Sequence, residues 1–281
     1  MKIKKRLRVL SKAMHRELRE HRSSFMVYVI LRTLVLLVMI RQLFNGNYEN
    51  VFLGILTLFL LTIPSFIQIN LKVELPTALE IIILLFIFAA EILGEIEAYY
   101  IRFPYWDTIL HTMNGFLMAA IGFSLVDILN RSKKVSVQLS PAYLAATAFC
   151  FSMTIGVIWE FFEFGMDYLF GLDMQKDTVV HSIGSVMLNP EGRNVPGRIE
   201  HITDVAVNGQ SLGLGGYLDI GLIDTMKDLL VNFIGAVVFS VIGYFYVKNR
   251  GKGRFAKGLI PRMKSGEADF LKQAEEEEKQ N

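Results

Sequence analysis

Apolar residues dominate six stretches of the chain, at about 25–44, 51–70, 78–97, 106–128, 142–169 and 222–247. A helix needs about 20 largely apolar residues to cross the hydrocarbon of a bilayer. The pattern therefore predicts six membrane-spanning helices. Pro64 falls inside the second stretch; having no N–H to give the helix ladder, it predicts a kink there. The first stretch carries Arg32 and Arg41 and begins a polytopic series, so it reads as a span and not as a cleaved leader. The expected fold class is all-α: a six-span transmembrane helix bundle with a small, β-containing extracytoplasmic loop.

The polar flanks set the orientation. With the N-terminus inside, twenty flanking lysines and arginines fall on the cytoplasmic side, against Arg102, Lys176, Arg193 and Arg198 outside. The positive-inside rule then predicts a multi-pass protein of the cell membrane with both termini cytoplasmic. The division is a basic segment at 1–24, a membrane domain at 25–248 and a charged cytoplasmic tail at 249–281, which from about 265 reads as solvated or disordered. In residues 1–22, Ile3, Leu7, Leu10, Met14 and Leu18 share one helical face amid basic residues. That face fits a helix resting on anionic lipid, and equally a charged tail that only fixes topology. The loop at 171–221 is too long for a plain connector. Val179–Leu188 and Ile199–Val207 are strand-like, and Asn208–Gly209 signals a turn, which predicts a small β-rich cap outside.

Three spans carry polar ladders at helical spacing. Asp107, His111 and Asn114 fall at i, i+4, i+7; Glu160, Glu163 and Asp167 at i, i+3, i+7; Asp224, Asp228 and Asn232 at i, i+4, i+8. Each set lies on one face. Ionisable groups at the centre of a span cost roughly 2.5–3.5 kcal/mol each, so they face a site or a water-filled cavity. The predicted topology puts all three ladders, with Glu91 and Glu95, in the outer half of the membrane. The matching rungs are Asp107/Asp167/Asp224, His111/Glu163/Asp228 and Asn114/Glu160/Asn232. The reading is a polar cavity opening outward, rimmed by Tyr99, Tyr100, Tyr105 and Trp106. So many carboxylates need cations. Lys227 and Arg41 are candidates, protons are another, and a divalent metal on His111, Glu160, Glu163 and Asp228 is the third. That donor set suits Mg, Mn, Fe or Zn without choosing among them. A polar network that only holds helices together competes with this reading. His181, His201, Asp177, Glu191 and Asp204 in the loop read as ordinary exposed residues. The run Trp159–Phe161–Phe162–Phe164 reads as packing or lipid-facing surface. Gly115, Gly165, Gly235 and Gly243 read as points of close helix approach.

Composition agrees with a membrane protein and narrows the chemistry. Of 281 residues, 52% are hydrophobic, and the mean hydropathy is +0.40. A net charge of +2 makes no case for nucleic-acid binding. The single cysteine, Cys150, excludes an intrachain disulfide and a cysteine zinc cluster; it reads as a small packing residue. No Ser-His-Asp or Cys-His arrangement is evident, so catalysis by a serine or cysteine nucleophile is unsupported.

Asp107-x3-His111 opening one span, Trp159-Glu160-x2-Glu163 closing the next, and Asp224-x3-Asp228-x3-Asn232-x2-Gly235 opening the last resemble the YjdF-type membrane protein family. More distantly they resemble the VanZ-like proteins, over about 105–247. The resemblance implies a polytopic membrane protein of the cell envelope, with Asp107, His111, Glu160, Glu163, Asp228 and Asn232 as the shared positions. The long insert at 171–221 departs from the compact VanZ-like pattern, so a shared substrate does not follow.

Three functions fit. An outward-facing enzyme or binder would act on an envelope lipid or lipid-linked glycan. There a divalent metal sits on the carboxylates, and His111 or Glu163 serves as general acid or base. A proton- or cation-coupled transporter would use the same carboxylates as a relay, though carriers place their site near the midplane between repeats, and no repeat is evident. A non-enzymatic scaffold or accessory subunit would dock a partner through the outer loop.

Overall fold

The computed structural model describes residues 3–131, 139–249, 257–264 and 268–280. Lys2, Lys133, Lys134, Arg250, Lys252 and Arg254, which enter the charge bias above, lie outside the described residues. Six helices are long and apolar enough to cross a membrane: Arg22–Phe44, Tyr48–Asn70, Thr77–Ile96, Trp106–Asn130, Pro141–Phe170 and Leu222–Lys248. The chain is an all-α membrane protein with small strand elements. It forms two compact units, Met1–Thr154 with Val231–Asn281, and Ile155–Leu230.

The first unit begins with α1 (Ile3–Glu20) and α2 (Arg22–Phe44), followed by α3 (Tyr48–Leu60) and α4 (Ile63–Leu71), which together make the second span. The break between them falls at Leu61 and Thr62, with Pro64 in the first turn of α4. That is where a proline is tolerated, because the first N–H groups of a helix have no partner. After the short strand β1 (Val73–Glu74), α5 (Thr77–Phe88) runs on as a π-helical segment, Ala89–Ile96. A short α6 (Tyr99–Arg102) leads to α7 (Trp106–Arg131); α8 (Pro141–Phe170) and α9 (Leu222–Lys248) follow.

Two apolar clusters hold the spans of this unit. Tyr28, Leu31, Val35, Leu61, Leu84 and Ile92 join α2, the second span and α5 with its π segment. Phe123, Leu144, Ala148, Ala236, Phe239 and Tyr246 join α7, the start of α8 and the end of α9. α7 and α9 run parallel: the side chains of Asn114 and Asn232 meet, and further along Phe123 meets Tyr246. Gly115 and Gly235 are why the helices come so close. A Cβ on Gly115 would overlap the carbonyl of Asn232, and one on Gly235 that of Thr112. Gly243 likewise lies against the Phe123 ring, whereas a Cβ on Gly165 would meet open space, so Gly165 is no such contact point.

The termini fold together. Strand β8 (Arg262–Met263) pairs antiparallel with β1, and α10 (Phe270–Gln280) packs on α1 through Val9, Ala13 and Ala274. Ion pairs close the contact: Lys72 with Asp269 at 2.8 Å, Arg16 with Glu277 at 2.8 Å, and Glu17 with Lys264, both almost fully buried. The tail after 265 is therefore not solvated throughout. Phe270, Leu271, Ala274 and Glu278 recur on one helical face, which gives α10 a side to bury. Both termini and the connection between the second and third spans share one end of this unit, as an even number of spans requires.

In the second unit the loop forms three small antiparallel pairs: β2 (Thr178–Val180) with β7 (Tyr217–Asp219), β3 (Ile183–Ser185) with β4 (Gly197–Ile199), and β5 (Ala206–Val207) with β6 (Gln210–Ser211). The last pair turns on Asn208 and Gly209, both with positive φ, as the tight hairpin turns demand. The strands are shorter than the expected stretches. Val186–Leu188 is a 3-10 turn, and His201 takes a left-handed conformation that ends the extended run after Ile199.

Candidate functional site

Within the second unit, the end of α8 and the start of α9 bring three carboxylates together. Glu160, Glu163 and Asp228 each offer an oxygen within 4.8 Å of the others. All three are buried, at 4%, 8% and 3% exposure. The geometry follows from the spacing: Glu160 and Glu163 are i, i+3 on α8, one turn apart on one face, and α9 supplies Asp228 from across that face. A carboxylate oxygen of Asp224 lies within the same 4.8 Å of one on Asp228. The indole N–H of Trp159 donates to Oε1 of Glu163 at 2.8 Å. Trp159 is therefore more than packing surface, and a sequence reading had a signal for it in the i, i+4 spacing to Glu163. Phe161, Phe162 and Phe164 are exposed, as a lipid-facing run would be.

The outermost carboxylates of these helices hold the loop. Asp167 accepts from the backbone N–H of Met174 at 2.6 Å and of Gln175 at 2.8 Å. Asp224 accepts from the N–H of Lys176 at 2.7 Å. The Gln175 side chain donates to the Thr225 hydroxyl at 2.6 Å. Residues 174–176 are thus fixed to both helices before β2 begins. Three other loop groups have local partners: His181 Nδ1 lies 3.0 Å from the carbonyl of Ile202, Glu191 pairs with Arg193 at 3.0 Å, and Ser211 donates to Asp204.

Within the first unit, Nε2 of His111 lies 3.4 Å from Oδ1 of Asp107, one turn away on α7. His111 is 9% exposed. Three residues further along, Asn114 donates to Asn232 Oδ1 at 3.2 Å, and the other end of the Asn232 amide lies 3.6 Å from the sulfur of Met153. The Ser152 hydroxyl donates to the carbonyl of Gly115 at 2.7 Å. Asn114 and Asn232 therefore meet, while Glu160, the third member of their expected rung, is grouped with Glu163 and Asp228. Glu91 is half-buried and Glu95 exposed, both on the π-helical segment. π-Helical turns are rare and recur at functional sites. Arg41, one of the expected counter-ions, pairs with Glu97 instead. Lys227 is exposed. Tyr99 packs edge-on against Trp106, with ring centroids 4.9 Å apart, at the connection between the third and fourth spans.

The chemistry of these groups is that of hard-cation ligands. Carboxylates with one imidazole suit Mg, Mn, Fe or Zn. His111, Glu160, Glu163 and Asp228 are donors of this kind, and two of them have an orienting neighbour: Asp107 lies 3.4 Å from the imidazole, and Trp159 donates to the Glu163 carboxylate. Such outer partners fix the direction of a ligand.

Comparison with curated proteins and with solved structures gives no match for this chain. A family comparison matches residues 26–249, which take in nearly all of the six spans, every ladder position and the loop at 171–221. The chain belongs to the family described as predicted membrane protein DUF2238.

Proposed function

We propose that this membrane protein holds a divalent cation in the outer half of the bilayer and uses it to bind or act on an envelope lipid or lipid-linked glycan. The observation that carries the reading is the trio Glu160, Glu163 and Asp228, three buried carboxylates within 4.8 Å of one another. Three like charges at that spacing, in a span, call for a cation. Helical register supports His111 as the fourth ligand. Asn114 bonds Asn232 across two parallel helices. His111 lies roughly 4.5 Å back from that contact on α7, and Asp228 roughly 6 Å back on α9. Asp107 would hold the imidazole by Nε2 and leave Nδ1 to face the cation. A bound cation would supply Lewis-acid polarisation of a phosphate or glycosidic oxygen. The residues' own part is to bind it, to hold Glu163 in place through Trp159, and to move a proton at His111 or Glu163.

The orientation that places this site outward is the one the flanking lysines and arginines favour. The motif likeness to YjdF-type and VanZ-like proteins is in keeping with an envelope role.

Metal content of the purified full-length protein tests the reading. The wild type is expected to carry about one divalent ion per chain, as one four-ligand site takes. Glu163→Ala and Asp228→Ala are each expected to lose it while remaining folded. Protein that stays metal-free when offered Mg, Mn, Fe or Zn, in wild type and variants alike, would remove the metal. Cation or proton flux in liposomes that disappears in Asp228→Asn would favour a carrier instead.

A further inference from the structure

One face of α1 packs on protein, and the stripe next to it borders an open groove. Val9 and Ala13 pack on Ile69 and Ala274, and Glu17 reaches Lys264. Beside that contact Leu7, Leu10, Met14 and Leu18 line an open groove of about 420 Å3, completed by Tyr28 of α2 and Thr62 at the break in the second span; Leu10 and Met14 are half-buried against the same cluster. That volume lies in the range of small-molecule and lipid-chain sites, about 300–1,000 Å3. Leu7 is 61% exposed at one end of the groove. An apolar channel beside spanning helices is ordinarily filled by hydrocarbon.

Charge sets this groove apart from plain lipid-facing surface. Arg8, His15 and Arg19 fall at i, i+7, i+11, all exposed, along one edge of the groove, and His15 lines it. Arg22 follows at the start of α2, also exposed. The two carboxylates of α1, Glu17 and Glu20, both lie toward Lys264; Arg8 pairs with Glu278 of α10 at 3.6 Å, so the basic groups left to this edge are His15 and Arg19. Arg32 adds a cation behind the groove. Its guanidinium donates to the Tyr28 hydroxyl at 2.5 Å and sits 5.3 Å from the centroid of that ring. A choline headgroup gains nothing from such a rim, whereas a phosphate of net negative charge does.

We propose that the groove on α1 is a binding site for an anionic glycerophospholipid. One acyl chain lies along Leu7, Leu10, Met14 and Leu18, and the phosphate rests on His15 and Arg19. The site is independent of the metal reading and uses different residues.

Native mass spectrometry of the full-length protein, offered phosphatidylglycerol and phosphatidylcholine of the same chain length, tests it. The wild type is expected to retain phosphatidylglycerol in preference. Each rim charge contributes roughly fivefold, about 1 kcal/mol per basic residue near an anionic headgroup. Arg19→Gln with Arg22→Gln, both exposed, is expected to erase most of that preference. Met14→Trp fills the groove, and Leu7→Ser weakens it at an exposed position; both are expected to reduce retention of either lipid. Equal retention of the two lipids by the wild type overturns the proposal. So does a preference that survives the double arginine substitution, or retention indifferent to both groove variants.

Discussion

Trp159 is the residue on which the site's precision depends most. It stands beside three exposed phenylalanines, yet its N–H holds the Glu163 carboxylate at 2.8 Å. An oriented carboxylate binds a cation better than one free to rotate. Trp159→Phe keeps the ring and removes only the donor. It is expected to weaken cation affinity roughly 10–100-fold, the usual cost of losing an outer hydrogen-bond partner, with little change in thermal stability. A titration of stripped protein with Mn2+ reads the effect; unchanged affinity would leave Trp159 as packing alone. Asp167 and Asp224 show the other side of reading single residues. Their spacing along α8 and α9 marks them as members of the ladders, but their oxygens accept from the backbone of residues 174–176. No pattern in the sequence tells a cavity wall from a loop anchor, because the donors are backbone groups with no side-chain signature.

Among the elements, the helices at the two ends of the chain make a titratable clasp. Glu17 on α1 and Lys264 beside β8 form a buried pair, with Glu20 3.8 Å from the same ammonium. Burial pushes the Glu17 carboxyl up from 4.5 to about 7, against the lowering influence of Lys264. The raised value means that the folded clasp binds a proton that the unfolded chain releases. Its contribution is fully present below pH 4.5 and is lost as pH rises through about 7. Hydrogen exchange in α10, corrected for the intrinsic rate, is expected to show the clasp loosening between pH 5 and pH 8, and Glu17→Gln is expected to flatten the dependence. A wild-type clasp indifferent to pH would contradict it. The spanning helices were legible in the sequence because length and apolarity alone define them. The clasp was not. A short helix such as α10 draws its stability from a partner more than 250 positions away in sequence, and Glu275–Glu278 look solvated until Arg16 and Lys12 are brought beside them. The π-helical turn over Ala89–Ile96 was equally silent, since its residues are those of any apolar helix.

For the molecule as a whole, six spans, an end that gathers the helices nearest both termini, and carboxylates concentrated on the last four spans form one consistent pattern. The spacing of the ladders set Asn114 beside Asn232 and Glu163 beside Asp228, and both pairs meet; Glu160, set by the same spacing beside Asn114 and Asn232, lies with Glu163 and Asp228. Periodicity carries such information because a helix turns stripes in sequence into faces in space. It says nothing about which faces a loop or a tail will cover. The central claim is that the buried carboxylates share one cation with His111. X-ray absorption on Mn2+-loaded, full-length protein tests it most directly. The account predicts a single metal bound by oxygen donors with one imidazole, the imidazole scattering lost in His111→Ala and the metal itself lost in Asp228→Asn. A protein that takes up no Mn2+, or one whose metal environment is the same in both variants as in the wild type, would contradict it.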